Sequence, residues 1–423
     1  MPIIQPVKGT RDFYPEEMAF RNWLYGQVRA VSERFGYQEW EAPYLESLEL
    51  YAAKSGDELV KEQAFTLTDR GGRILALRPE LTPSLSRMIA QRASQLVMPV
   101  RWYAFGPFWR YEQPQRGRAR EFFQWNIDLL GDGGVRADAE IIAVGVAFLK
   151  SLGLTPAQVV VKVNNRMFTQ QKLAGLGIPA SAMTDCLTLI DRRLKMKPDE
   201  WTKYAGSLGF SEQQVRAVEG LLADAEAWRG FASLERLFAD LEALDAADMV
   251  AYDPTVVRGL LYYTGTVFEA NDVGGEYRTI FGGGRYDNLV ADVGGDPIPA
   301  VGFAMGDMVI ELLLEKYGCK PTLPTTSSAV LVALFDDALY PEAARLATEL
   351  RRAGLNTELY LEPAKLGKQL RYAQRKGIPV VAIIGENEVA AGLVALKRLS
   401  TGEQISVARA EAAEAVRRWL SAG

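Results

Sequence analysis

The order of apolar and polar residues predicts a helix and then a strand at the start of the chain. Over residues 16–35 the apolar residues recur at the i, i+3, i+4 spacing of an amphipathic helix. The next segment, GYQEWEAPYLE, predicts a short strand that ends at Pro43. A second helix is predicted from Thr82, because a capping residue followed by proline is typical of a helix start.

Residues 97–130 alternate between apolar and polar positions and predict a long β-hairpin. In its second strand the apolar residues fall on one face, and the other face carries Gln124, Asn126 and Asp128. Helical patterns return over 131–152 and over a polar-faced stretch at about 165–250, and strands resume near 255. The segment FGGGRYDNL predicts a glycine-rich turn that leads into another helix.

The pattern changes after residue 320. KPTLPTTSS has the composition of a linker, and three short apolar strands then alternate with helical patterns at 341–353, 363–376 and 409–421. This alternation predicts a small α/β domain with a mostly parallel sheet. We therefore expect an α+β domain on an antiparallel sheet over 1–320, a linker over 321–328 and an α/β domain over 329–423.

Composition narrows the possible chemistry. None of the 423 residues is histidine, which excludes Ser–His and Cys–His nucleophiles and HExxH zinc sites. Cys186 and Cys319 are far apart in sequence, so neither a metal site nor a disulfide framework is expected. A net charge of −5 argues against nonspecific coating of nucleic acid. The chain shows no apolar stretch of membrane-spanning length and no signal peptide, so we expect a cytoplasmic protein without a membrane partner.

The predicted hairpin carries many charged residues: Arg110 and Glu112 on its first strand, and Arg116, Arg118 and Arg120 in its loop. One interpretation is a half-solvated sheet with a charged turn. The other is a polar surface that binds a small ligand, with the loop arginines bound to an anionic group. Arginine suits this role because its guanidinium stays charged and can donate two parallel hydrogen bonds.

Three further segments carry candidate binding groups. Glu80, just before a predicted helix, is either a capping acid or the partner of an ammonium group. VVRGLLYYTGTVFEA, at 256–270, has the apolar pattern of a strand but holds Arg258 and two tyrosines, which are costly to bury without partners. FGGGRYD either approaches an anion through backbone amides or is an ordinary turn, and it matches neither the Rossmann nor the P-loop pattern.

One side of a predicted C-terminal helix, in EPAKLGKQLRYAQRKGIP, carries Lys365, Lys368, Arg371 and Arg375. Such a side is either a solvated helix face or a surface that binds successive phosphates of a nucleic acid. Its place on a separately linked domain fits the second interpretation.

Taken together, these segments resemble the histidyl-tRNA synthetase family in order and spacing. The resemblance is carried by PVKGTRDFYPEE, RPELTP, FWRYEQPQRGRAREFFQWNIDLLG, RGLLYYTGTVFEA, GGGRYDNL and the closing α/β domain. The hairpin resembles motif 2 of class II aminoacyl-tRNA synthetases. The resemblance implies a class II catalytic domain with a helical insertion, an anticodon-binding C-terminal domain, and a homodimer.

The resemblance also implies a reaction in which L-histidine and ATP, with Mg²⁺, give histidyl-adenylate, and the histidyl group passes to the 3′ end of tRNA(His). This chemistry is compatible with a chain that has no histidine. The substrate carboxylate is already an anionic nucleophile, so the enzyme supplies positioning and positive charge rather than a general base.

The resemblance assigns roles to residues of this chain. Arg110 and Arg258 would hold the α-phosphate from opposite sides. Histidine would be bound by Glu80, Thr82, Gln124, Asp128, Tyr262, Tyr263 and Tyr286, with Glu80 and Thr82 on the amino group and Asp128 and Tyr263 on the imidazole. ATP would be bound by Arg110, Glu112, Gln115, Arg118, Arg258, Gly283 and Gly284. The tRNA would be bound by Lys365, Lys368, Arg371 and Arg375.

Three positions depart from the family pattern. Motif 3 usually ends with an arginine on the γ-phosphate, whereas this chain has Asp307-Met308-Val309 there, so another cation or Mg²⁺ must hold that phosphate. Leu261 stands where an acid commonly precedes the two tyrosines, and Asp128 stands where many relatives carry glutamate.

Two other functions compete with the synthetase. One is the synthetase-like regulatory subunit of ATP phosphoribosyltransferase, which binds histidine without charging tRNA. The missing motif 3 arginine and Leu261 favour it, whereas the linked C-terminal domain and the retained Arg110 and Arg258 count against it. The other, a noncatalytic tRNA-binding protein, would leave the two arginines and the polar hairpin face unexplained.

Overall fold

A computed structural model describes residues 3–52, 62–193, 195–258 and 262–421. The chain divides into two compact units. The first comprises residues 1–12 and 24–320, and the second comprises 13–23 and 321–423. Leu261, one of the positions that depart from the family pattern, lies outside the described residues.

The first unit is built on an eight-stranded sheet. In spatial order its strands are β1 (Gln38–Glu39), β5 (Val100–Trp109), β6 (Glu121–Leu130), β11 (Ala300–Gly306), β10 (Phe281–Tyr286), β9 (Thr266–Asp272), β7 (Val159–Asn165) and β8 (Val250–Tyr252). Only the edge pairs β1–β5 and β7–β8 are parallel among these strands. The predicted antiparallel sheet is therefore confirmed, and a smaller sheet of β2 (Leu45–Ser47), β4 (Ile74–Leu77) and β3 (Phe65–Thr68) accompanies it.

The predicted hairpin is β5 and β6, whose ten residue pairs run from Val100–Leu130 to Trp109–Glu121. Helix α1 (Pro15–Arg34) has residues in both units. The other helices of the first unit are α2 (Leu48–Ala52), α3 (Thr82–Arg92), α4 (Val135–Ser151), α5 (Arg166–Gly175), α6 (Met183–Asp191), α7 (Pro198–Ser207), α8 (Glu212–Ala223), α9 (Ala232–Ala243), α10 (Leu289–Asp292) and α11 (Asp307–Lys316). The apolar face of β6 packs on α4, with the Trp125 ring 5.0 Å from that of Phe148.

Helices α5 to α9 occupy the stretch for which a helical insertion was predicted. Several of them share a buried core of their own, which includes Leu173, Ile190, Trp201 and Val218. The indole of Trp201 donates a hydrogen bond to the carbonyl of Leu189 at 2.7 Å, so this large side chain is buried without an unpaired donor.

The prediction of a turn at FGGGRYDNL is wrong, because FGGGRY forms the central strand β10. Its glycines make room for side chains instead of turning the chain. A Cβ at Gly282 would lie 2.1 Å from Nη1 of Arg258, and a Cβ at Gly284 would lie 2.9 Å from Cδ1 of Tyr263. The single strand expected over 256–270 is also wrong, since a strand begins only at Thr266 and Arg258 has a positive φ of 52°.

The second unit contains a five-stranded sheet with helices on both faces. Its strands are β13 (Thr357–Leu359), β12 (Val330–Val332), β14 (Val380–Ile383), β15 (Leu393–Arg398) and β16 (Gln404–Ala408) in spatial order. Its helices are α12 (Tyr340–Arg352), α13 (Leu366–Lys376), α14 (Glu386–Ala391) and α15 (Ala412–Ser421). Helices α12 and α15 pack on one face of the sheet, and α13 packs on the other.

The sheet of the second unit is mixed, which corrects the expectation of a mostly parallel one. The pairs that β12 makes with β13 and β14 are parallel, whereas β14–β15 and β15–β16 are antiparallel. The link between β15 and β16 is too short for the crossover that a parallel pair requires, so these strands form a hairpin.

Candidate active site

One face of the eight-stranded sheet carries several small residues beside the polar side chains of β6. Adjacent positions across β5, β6, β11 and β10 form one row of Ala104, Asn126, Ala304 and Gly282 and another of Trp102, Asp128, Gly302 and Gly284. A Cβ at Gly302 would lie 2.0 Å from Oδ1 of Asp128. Gly282, Gly284 and Gly302 lack a Cβ and so leave room on this face for the side chains that lie over them, Arg258, Tyr263 and Asp128 respectively.

Arg110 follows the end of β5 at one side of this face. Its Nε donates to the carbonyl of Pro79 at 2.9 Å, and its guanidinium lies 5.2 Å from the Phe122 ring centre. Burial lowers the pKa of Arg110, and the nearby carboxylate of Glu80 opposes that shift. Both side chains were predicted to bind substrate, and this electrostatic coupling places them together.

Arg258 lies at the other side of the face, above Gly282 of β10. Its Nη1 donates to Oε2 of Glu269 at 3.3 Å, and the same oxygen accepts from the hydroxyl of Thr279 at 3.2 Å. A positive φ is strained for a residue with a side chain and is often found at functional sites.

Asp128 and three tyrosines, all predicted to bind histidine, form one cluster of side chains. The hydroxyl of Tyr286 donates to Oδ1 of Asp128 at 2.6 Å. The Tyr262 ring centre lies 4.8 Å from that of Tyr263 and 6.1 Å from that of Tyr286. Burial raises the pKa of Asp128 to about 7, although the Tyr286 hydrogen bond lowers it, so this carboxyl can hold or release a proton near neutral pH.

The other residues predicted for histidine are Glu80, Thr82 and Gln124. Glu80 is buried just before α3, and its charge raises the pKa of both Tyr262 and Tyr263, where burial is the larger cause. Thr82 is partly buried as the first residue of α3. Gln124 lies on the same face of β6 as Asp128, between Gly106 and Gly306 of the neighbouring strands.

Asn126 is a further candidate that had no assigned role. Its side chain shares the polar face with Gln124 and Asp128, is 5% exposed, and has a buried Nδ2 with no hydrogen-bond partner in the part of the chain that the structure describes. Unpaired buried donors are uncommon in native proteins, so a ligand atom is the expected acceptor. The strand alternation had placed Asn126 on this face, but the family resemblance gave it no role.

A cavity of about 200 Å³ opens beside Arg110. It is lined by Arg110, Glu112, Gly117, Arg118, Ala119, Phe122, Arg278, Thr279, Gly306, Asp307, Met308 and Val309. Of the residues predicted for ATP, Glu112 and Arg118 form an ion pair here, and the exposed Gln115 pairs with Arg118 through the backbone. Gly284 lies on the polar face of the sheet, whereas Gly283 lies opposite Phe303 on the face that packs towards α4.

Asp307, in the segment that stands where the family pattern has the motif 3 arginine, is already paired. Oδ2 of Asp307 accepts from Nη2 of Arg11 at 2.7 Å, and Oδ1 accepts from the backbone N–H of Phe123 at 3.0 Å. The carboxylate therefore brings little uncompensated negative charge to the cavity.

The four basic residues predicted for tRNA lie together on and just before α13. Lys365, Lys368, Arg371 and Arg375 are all exposed, and within the described ranges none has an ion pair or a side-chain hydrogen bond. Their neighbour Lys376 is instead paired with Glu358 at 2.9 Å. As for the membrane, none of the helices that the structure describes is long and apolar enough to cross one.

Comparisons with known proteins cover almost the whole chain. Residues 9–308 match the family model described as histidyl-tRNA synthetase, and residues 328–419 match that of the anticodon binding domain. A histidine–tRNA ligase of chloroplasts and mitochondria from Arabidopsis thaliana is 40% identical over 96% of this chain and 85% of its own length. The histidine–tRNA ligase of Thermoplasma volcanium is 38% identical over 95% of both chains. The crystal structure of histidyl-tRNA synthetase from Nostoc sp. PCC 7120 superposes with a TM-score of 0.84, at 28% identity and 99% coverage of both chains.

Proposed function

Because the chain belongs to the histidyl-tRNA synthetase family, we propose that histidine and ATP react on the polar face of its eight-stranded sheet. The chain is a histidine–tRNA ligase, which activates L-histidine with ATP and transfers the histidyl group to tRNA(His). The observation that carries the assignment of the site is the pair of arginines, Arg110 and Arg258, on two sides of this face.

In the first step an oxygen of the histidine carboxylate attacks the α-phosphate, and pyrophosphate leaves. Both guanidinium groups lie within electrostatic range of the same side chain, Tyr262. The two arginines can therefore hold one phosphate between them. Their positive charge stabilises the pentacoordinate transition state.

Histidine binds with its imidazole between Asp128 and Tyr263 and its amino group near Glu80 and Thr82, with Gln124 beside it. The carboxyl of Asp128 pairs with one ring nitrogen of the substrate. An apolar amino acid of similar size would leave that buried carboxyl without a partner on the substrate, and this is the basis of selectivity.

Mg²⁺ enters with ATP and needs no resident site. The acids around the cavity are engaged with cations: Glu112 with Arg118, Glu269 with Arg258, and Asp307 with Arg11. A magnesium ion bound mainly by phosphate oxygens and water fits such a cavity.

The basic residues of α13 contact the phosphates of tRNA, and the protein acts in the cytoplasm as a homodimer. Light scattering should give twice the chain mass of 46.7 kDa. The regulatory-subunit alternative is less supported, because the chain carries an anticodon-binding domain and its relatives are ligases.

ATP–pyrophosphate exchange, measured with each amino acid in turn, tests the proposed function. We expect exchange with histidine alone, followed by charging of tRNA(His). Histidine binding without any exchange would contradict the proposal and favour the regulatory subunit.

Arg258→Ala should remove most of the ATP–pyrophosphate exchange activity and leave histidine binding measurable, because the arginine acts on the α-phosphate. Removal of such a donor typically costs about 10²–10³-fold in rate. The matched control is Arg216→Ala, an exposed arginine of α8 paired with Glu212 at 3.4 Å. Loss of folding in the Arg258 variant alone would show that this arginine has a structural role.

A further inference from the structure

The cavity beside Arg110 must supply a cation for the terminal phosphate of ATP. We propose that Arg278 binds the γ-phosphate of ATP and holds the pyrophosphate as it leaves. This inference rests on the proposed function, and it assigns the phosphate contact that Asp307-Met308-Val309 cannot make.

Arg278 lines the cavity together with Met308 and Val309, which carry no charge. Three arginines line it in all. Arg118 is held in an ion pair by Glu112, and Nε of Arg110 donates to the backbone carbonyl of Pro79. Arg278 is exposed and, in the described part of the chain, has no ion pair and no side-chain hydrogen bond. It is therefore the arginine of the cavity whose whole guanidinium is free to bind a ligand.

The chain around Arg278 is tied to the proposed site of the α-phosphate. The next residue, Thr279, donates to the same oxygen of Glu269 that accepts from Arg258. Arg258 and Thr279 thus share one acceptor on Glu269. Arg278, which precedes Thr279 in the sequence, therefore lies close to the proposed α-phosphate contact. A triphosphate held at its α-phosphate by Arg110 and Arg258 can thus extend towards Arg278.

The loop of the β5–β6 hairpin contacts the residues that precede Arg278. Arg116 donates to Oε1 of Glu276 at 3.3 Å and to the hydroxyl of Tyr277 at 3.2 Å. These contacts fix the two residues before Arg278 next to the hairpin loop, which supplies Arg118 to the same cavity. Asp307, also in the lining, has its charge satisfied by Arg11, so it does not repel the phosphate.

The role of Arg278 in the reaction is electrostatic. The carboxylate oxygen of histidine forms a bond to the α-phosphorus, and the bond from that phosphorus to the bridging oxygen breaks. Pyrophosphate leaves with the bonding electron pair, so negative charge grows on the β- and γ-phosphates. A guanidinium at the γ-phosphate stabilises that charge and binds pyrophosphate in the reverse direction.

The test is exchange kinetics on the full-length protein with Arg278→Ala and Arg278→Lys. We expect the KM for pyrophosphate and for ATP to rise at least tenfold in Arg278→Ala, with partial recovery in Arg278→Lys, because lysine keeps the charge and loses the fork. The KM for histidine and the Kd for AMP should stay within twofold. Arg216→Ala is the matched control, and thermal unfolding verifies that each variant is folded.

An unchanged KM for pyrophosphate in Arg278→Ala would overturn the inference, and so would an equal loss of AMP affinity. Both results require wild-type protein with histidine-dependent exchange. If the wild-type protein itself showed no such exchange, the proposed function would fail first, so the two failures are distinguishable.

Discussion

Asp128 is a carboxyl group whose protonation state changes near the pH at which the enzyme works. Burial raises its pKa to about 7, close to the ordinary pKa of about 6.5 for an imidazole. When histidine binds, the two groups can therefore share one proton at little cost. Relatives with glutamate at this position would keep the charge but place it one methylene further from the strand.

The raised pKa makes Asp128 a source of pH-dependent stability. Between the unfolded value of 3.8 and about 7, the folded protein binds a proton that the unfolded chain does not. The contribution of Asp128 to the free energy of unfolding is therefore full below pH 3.8 and is lost as the pH rises through 7.

Asp128→Asn removes this dependence, so the variant should gain stability relative to wild type as the pH rises. The expected gain between pH 5 and pH 8 is about 2–3 kcal/mol. Urea unfolding of both proteins at the two pH values measures it. A difference between the proteins that stays constant with pH would show that Asp128 is charged throughout. Histidine affinity should also fall, because an amide cannot take the place of the carboxylate.

Some of the site could be predicted from single residues, and some could not. The charge of Arg258 was informative because a charged side chain in apolar surroundings needs a partner, and the alternation along β6 placed Asp128 on the same face as Gln124. The positive φ of Arg258 and the free guanidinium of Arg278 were not predictable. Both depend on which distant residues fold next to them, and local sequence does not carry that information.

At the scale of elements, β10 illustrates a strand in which three of the six residues are glycine. Its glycines allow Arg258 and Tyr263 to lie directly against the sheet. Such a strand has no alternation of apolar and polar residues, so its sequence resembles a turn. The β5–β6 hairpin was predicted because its alternation is explicit, and the mixed C-terminal sheet was not, because alternation gives no strand direction.

Gly282→Ala tests the role of that strand. The new methyl group would lie 2.1 Å from Nη1 of Arg258 and must displace the end of a flexible side chain. We therefore expect exchange to fall at least tenfold while the melting temperature changes little. Gly206→Ala, on α7 with nothing within 4 Å, is the control and should leave exchange unchanged. Full activity in Gly282→Ala would mean that the position of Arg258 over the strand is not required.

At the scale of the whole molecule, charge is distributed unevenly. The chain has a net charge of −5, yet the exposed cations on and just before α13 are unpaired among the described residues. A local basic surface on an acidic protein favours one orientation of a polyanion over others. The helix packs on the face of the C-terminal sheet opposite the one that α12 and α15 cover.

Replacing Lys368, Arg371 and Arg375 with alanine should raise the KM for tRNA at least tenfold and leave ATP–pyrophosphate exchange unchanged. The salt dependence of tRNA binding should weaken by roughly one unit of slope for each phosphate that the variant no longer neutralises. Arg418→Ala, an exposed arginine of α15 on the opposite face, is the control. If the control and the triple variant lost tRNA affinity equally, the surface of α13 would have no special role.

The proposed histidine site at Asp128 and Tyr286 can be studied by NMR without a background signal from the protein. Since the chain has no histidine, every imidazole resonance in the NMR spectrum of an untagged complex comes from the bound substrate. Titration of ¹⁵N-labelled histidine on the enzyme would report its tautomer and its ionisation directly. The proton shared with Asp128 could then be followed without background, in a way that few histidine-binding proteins allow.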